Sequence, residues 1–171
     1  MAAGRGRGRS AFAGWLASAA GLVAIDQIAK AWVLAELTGT IAVLPSLNLV
    51  LVHNPGAAFG LLAQAGGWQR WFFIVVGVVI AVFITEWLRR SARTGRTWLC
   101  AALALVLGGA FGNLWDRLAR GAVVDFIDVY YGRYHWPAFN VADAAITIGA
   151  LILVLASFRG DRPDDREAGN S

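Results

Sequence analysis

The sequence predicts an all-α membrane protein, a bundle of four transmembrane helices with a small extracytoplasmic β-sheet. Three observations carry that prediction. Hydrophobic residues fill 58% of the 171 positions and charged residues only 15%, where a soluble domain carries roughly a quarter charged. Four apolar runs, at 11–36, 71–87, 98–118 and 141–158, reach or approach the roughly 20 residues needed to cross hydrocarbon. Basic residues crowd two places: Arg5, Arg7 and Arg9 precede the first run, and Arg89, Arg90, Arg93 and Arg96 link the second to the third. Such positive segments stay cytoplasmic. Both termini are therefore read as cytoplasmic, and the other two links as extracytoplasmic.

Residues 1–10 form an arginine–glycine arm, read as disordered beside anionic lipid rather than as an RNA-binding repeat. The first run imitates a cleavable leader, with Ala17-Ser18-Ala19 as a cleavage site. It continues past that point to Trp32 and carries Asp26 and Lys30, charges for which a leader has no use. It is read as a retained span. Asp26 precedes Lys30 by four residues, the favourable order for a helical ion pair. A structural pair that locks helix packing and a direct catalytic role for Lys30 are both open readings.

The first outer link, 38–67, holds no Lys, Arg, Asp or Glu. Its segments 41–44 and 47–52 are rich in β-formers and split by Pro45-Ser46, which predicts two strands. At His53-Asn54-Pro55-Gly56 the extended run breaks, and Asn54 is placed to cap a short helix beginning at Pro55. Across the whole chain the eight tryptophans respect the same topology. Trp15, Trp87 and Trp98 fall at inner boundaries, and Trp32, Trp68, Trp71, Trp115 and Trp136 at outer ones, where aromatic belts sit. Cys100, the single cysteine, permits no intrachain disulfide and is read as packing.

The third run carries Gly108 and Gly112, a small-xxx-small face that lets another helix approach closely. One turn further, Asn113, Asp116 and Arg117 share one side of the helix. That polar group reads either as a satisfied interhelical network or as the wall of a site. The second outer link, 119–139, predicts a strand over 123–129 followed by an aromatic loop over 130–136. Asp128 is expected on the opposite face of that strand from Asp125, toward solvent. Asn140 is placed to cap the fourth span, with Asp143 three residues on in the capping-box position. A disordered cytoplasmic tail, 159–171, completes a single-domain reading of 11–158.

Asp125 and Asp143 are the acids that most need an explanation, since each borders an apolar segment with no neighbouring lysine. A charge near hydrocarbon is costly and commonly marks function. If the two converge, one retains a proton at neutral pH, giving a base for water and an acid for a leaving amine. Asp143 at a helix N-terminus is the expected ionised member, and Asp125, preceded by two valines, the expected proton holder. Taken singly, Asp143 reads as a helix cap and Asp125 as a partner for Arg117 or Arg120. His53 and His135 lack metal-ligand spacing, and no nucleophile elbow or phosphate loop is present in the sequence. A channel or proton-coupled carrier is the alternative class. It expects polar residues through the full depth of the spans, whereas these gather toward one outer level.

Five blocks stand in order: Asp26-Gln27-Xaa-Xaa-Lys30, Asn54-Xaa-Gly56-Ala57-Ala58-Phe59, Gly108-Gly109-Ala110-Xaa-Gly112-Asn113-Xaa-Xaa-Asp116-Arg117, Val124-Asp125-Phe126 and Phe139-Asn140-Xaa-Ala142-Asp143. Together they resemble the lipoprotein signal peptidase, or signal peptidase II, family over nearly the whole chain. The resemblance implies an aspartyl endopeptidase of the bacterial inner membrane, with Asp125 and Asp143 as its catalytic pair. Its implied partners are the bilayer and prolipoproteins bearing a lipobox and a diacylglyceryl cysteine, with cleavage just before that cysteine. Asn54, Asn113, Arg117 and Asn140 are implied to hold substrate or the oxyanion, with Asp26, Lys30 and Asp116 bracing them. The outer strands become a β-cradle for the substrate. A monomer is implied, with no metal, cofactor or nucleic acid.

Overall fold

A computed structural model describes residues 2–56 and 66–158, with side chains from residue 8 onward. Helix α1 spans Ala2–Glu36, followed by strands β1 (Ile41–Leu44) and β2 (Leu47–Asn54). Helices α2 (Trp68–Ser91) and α3 (Thr97–Ala119) come next, then β3 (Val123–Tyr131), β4 (Tyr134–His135) and α4 (Val141–Phe158). All four helices are long and apolar enough to cross a membrane. Four consecutive crossings put the start of α1 and the end of α4 at one end of the bundle, and both sheet-forming links at the other.

Helix α3 is the centre, packed by α1, α2 and α4. Its glycines make this possible. A Cβ on Gly108 would meet the Ala19 carbonyl of α1 at 2.8 Å, and one on Gly109 would overlap the Ala142 carbonyl of α4. Two turns further along the same face of α4, a Cβ on Gly149 would meet the Ala102 carbonyl of α3 at 2.7 Å. Side chains thus leave the interfaces and backbones touch, the packing expected where apolar burial alone gives helices no reason to associate. The outward faces stay apolar: Val79, Val82 and Phe83 on α2 and Leu151 and Leu155 on α4 are all more than half exposed.

The sheet is antiparallel in the order β1-β2-β3-β4. Pairing of β2 with β3 sets Val52 opposite Asp125 and Asn54 opposite Val123. Val33 and Leu37 at the end of α1 pack with Phe126 of β3, which seats the sheet on the bundle. Three expectations change. The aromatic segment after β3 is a hairpin, not a loop: it turns at Gly132 (φ 59°) and returns as β4. Asp128 does face away from Asp125, but it is buried: it accepts from Asn48 Nδ2 at 3.0 Å and contacts His135 Nδ1 at 2.9 Å. Helix α1 begins at Ala2, within the arm read as disordered. Pro55 and Gly56 form a bend, and the rest of the short helix expected after Asn54 lies outside the described residues, as does the tail 159–171.

Candidate active site

The site is built on a buried ion cluster. Lys30 Nζ lies 2.7 Å from Asp26 Oδ2 and 2.7 Å from Asp116 Oδ2, with all three side chains inaccessible to solvent. Its remaining donor reaches Asn113 Oδ1 at 3.3 Å, so the ammonium spends all three protons on α1 and α3. Each acid also accepts one backbone N–H. Asp26 Oδ1 accepts the N–H of Ala142 at 2.9 Å, and Asp116 Oδ2 accepts that of Val124 at 3.2 Å. Each of those amides immediately precedes one of the two acids singled out by the sequence. The cluster therefore pins the backbone at Asp143 and at Asp125.

Sequence reasoning passed over Gln27. Its Nε2 donates to Asp116 Oδ1 at 3.0 Å and to Asp26 Oδ2 at 3.1 Å, while its Oε1 accepts from Arg120. Arg120 also pairs with Asp116 rather than with Asp125. Arg70 was likewise unforeseen: it donates to the carbonyls of Arg117 at 2.8 Å and Leu118 at 3.1 Å, closing the C-terminal end of α3. Gln27 lies inside a noted block and one turn before Lys30, a signal that was available. Arg70 offered none.

Three asparagines join the two acids. Asn140 caps α4 as expected: its Oδ1 accepts the N–H of Asp143 at 2.9 Å, and its own N–H reaches Asp143 Oδ2 at 3.3 Å. With the oxygen committed there, Asn140 Nδ2 turns to Asp125 Oδ1 at 2.7 Å. Asn113 Oδ1 is held by Lys30 and Asn140, so its Nδ2 donates to Asp143 Oδ1 at 2.7 Å. From β2, Asn54 Nδ2 reaches Asp125 Oδ2 at 3.0 Å, and Asn54 Oδ1 accepts the N–H of Gly56. Every amide orientation is dictated by a group that can only donate.

Asp125 and Asp143 line one cavity of about 610 Å³, together with Asn54, Gly56, Asn113 and Arg117. Its other wall is apolar, from Trp136–Phe139 and the Ile146–Ile148 stretch of α4. Asp125 is only 2% exposed. Burial pushes its pKa up to about 6 and the Asp143 charge adds to the rise, against the lowering by Asn54 and Asn140. Arg117 stacks over Phe73 and donates to the carbonyls of Gly56 and Asn113. Its buried Nε has no hydrogen-bond partner among the described residues. Behind the sheet, burial would raise Asp128, but hydrogen bonds from His135 and Asn48 outweigh it and hold its carboxyl below the ordinary range.

A family profile described as signal peptidase (SPase) II matches residues 18–159. The chain belongs to the signal peptidase II family. It is 52% identical over 147 residues to a lipoprotein signal peptidase of Cupriavidus taiwanensis, covering 85% of this chain and 82% of that one. It is 46% identical over 159 residues to one of Pseudomonas aeruginosa, covering 91% and 94%. Two solved structures described as bacterial membrane enzymes share the fold. One has a TM-score of 0.76 at 29% identity, covering 86% of this chain and 88% of that one. The other has a TM-score of 0.73 at 28% identity, covering 87% and 95%. The family is a peptidase family, and the four apolar helices give it a membrane setting here.

Proposed function

We propose that this chain is an aspartic-type endopeptidase that removes the signal peptide from diacylglyceryl-modified prolipoproteins. The reading puts it in the bacterial inner membrane as a monomer, both termini cytoplasmic, its site near the outer face. The observation that supports it best is the pairing of Asp125 and Asp143 on one cavity through shared asparagines. A lipoprotein substrate is carried over from the names of the relatives.

The chemistry follows from the pair. A water held between the carboxylates loses a proton to Asp143, in the first turn of α4. The resulting nucleophile attacks the carbonyl carbon before the lipidated cysteine. Asp125, with its raised pKa, holds the other proton and gives it to the departing cysteine nitrogen. The two acids titrate as a unit, so one proton belongs to the pair. Two carboxylates supply both acid and base, and no metal enters the scheme. Arg117 has an Nε–H to spare and lines the cavity, which suits it to a substrate carbonyl or the oxyanion. Asn54, Asn113 and Asn140 set the carboxylates and line or border the same space. Asp26, Lys30 and Asp116 brace them. The sheet serves as the cradle for the extended peptide, and the apolar wall along α4 faces the acyl chains.

The test is cleavage of a diacylglyceryl prolipoprotein by the purified chain, with the products weighed by mass spectrometry. The expected product begins at the lipidated cysteine. Equal turnover of unlipidated precursor would remove lipid recognition from the reading.

A further inference from the structure

One wall of the cavity that holds Asp125 and Asp143 is an arch of backbone, Trp136–Phe139, stitched to the sheet at both ends. At the far end the Phe139 carbonyl accepts the N–H groups of Phe126 and Ile127, and the Phe139 N–H donates to the Ile127 carbonyl at 3.0 Å. At the near end the Trp136 N–H donates to the Val129 carbonyl at 2.8 Å, where β4 pairs with β3. That near attachment is short, because β4 has two residues, and so brief a pairing is marginal by itself. Side chains reinforce it. His135 Nδ1 lies 2.9 and 3.0 Å from the two oxygens of Asp128, and its ring stacks on Tyr130 with centroids 5.1 Å apart. Asp128 is buried and is itself anchored, accepting from Asn48 Nδ2 of β2 at 3.0 Å. An ionised carboxylate can only accept, so Nδ1 carries the hydrogen.

We propose that His135 is a positioning residue for the peptidase reaction: by gripping Asp128 it fixes the near end of the arch, and the arch sets the width of the cleft that receives the peptide. This role rests on the peptidase reading given above. Asp128 lies on the face of β3 turned away from Asp125, and His135 is not part of the cavity lining, so the residue acts through the backbone of Trp136. The two acids are held by a separate set of donors, Asn54, Asn113 and Asn140. Loosening the arch therefore weakens binding of the peptide and leaves the chemical step intact.

The experiment compares the purified full chain with His135→Phe and His135→Asn on a diacylglyceryl prolipoprotein. Phenylalanine keeps the stacking on Tyr130 and loses the grip on Asp128; asparagine keeps a nitrogen donor near the place of Nδ1. His135→Phe is expected to raise KM about tenfold, the order of one hydrogen bond to a charged group, with kcat within about twofold of the parent. It should also speed hydrogen exchange at the Trp136 amide, and His135→Asn should recover most of both effects. A His135→Phe variant with the parent's KM, a loss in kcat in place of KM, or a Trp136 amide equally protected in all three would overturn the role while leaving the peptidase reading intact. A parent chain that cleaves nothing would overturn that reading, and this role with it.

Discussion

Lys30 shows how strongly a single side chain is committed here. Its ammonium is shared by Asp26, Asp116 and Asn113 without solvent. Removing it leaves two buried acids with less than their balancing charge, a change that costs about 3–5 kcal/mol when one partner of a buried pair is lost. Lys30→Met should therefore lower the thermal midpoint sharply and cut the yield of folded protein, as read by thermal unfolding in detergent. Asp125 makes a different prediction. Its folded pKa of about 6 lies above the ordinary 3.8, so between these values the folded chain binds the proton and the unfolded chain has released it. Stability then falls as pH rises from about 4 to about 6, by at most about 3 kcal/mol, and stays lower above that. Thermal midpoints measured across that window should decline in the parent and flatten in Asp125→Asn. Asp125 and Asp143 stood out in the sequence as acids beside valines and alanines, and the structure sets both on one cavity. The amide directions of Asn113 and Asn140 were not legible there, since partners on other elements set them.

At the scale of the element, the position of α4 depends on the absence of a side chain at Gly109. A Cβ there would press on the Ala142 carbonyl, one residue before Asp143. Gly109→Ala should push the first turn of α4 outward, destabilise the fold by about 1–3 kcal/mol, and reduce turnover more than Gly77→Ala. A Cβ on Gly77 meets only the flexible end of Leu114, at 3.7 Å. Comparing turnover of the two variants, each normalised to its folded fraction, checks this. The four helices and β1, β2 and β3 could be read in advance, since apolar length and the Pro45-Ser46 break are local signals. The two residues of β4 are too few to show alternation. They are held by the Asp128–His135 contact and the stacking of His135 on Tyr130, which depend on register.

For the molecule as a whole, buried charge does the joining that apolar burial does inside a soluble protein. Three helices and the sheet meet at the cluster of Asp26, Lys30 and Asp116, which ties α1 to α3 directly and to β3 and α4 through backbone amides. The polar groups form one body at the sheet end of the bundle rather than a line through it, an arrangement suited to a surface reaction more than to conduction. The sequence showed which residues were polar and at what depth. Their convergence into an asparagine-bridged pair required the close approach of α3 and α4. The central claim is that Asp125 and Asp143 act together on one water. It is tested most directly by single-turnover cleavage of a diacylglyceryl prolipoprotein by purified Asp125→Asn and Asp143→Asn, with substrate binding measured in parallel. The account predicts that each variant still binds and that each loses at least about a thousandfold in rate, as when a general acid or base and its partner are both disabled. Cleavage near the parent rate by either variant would contradict it.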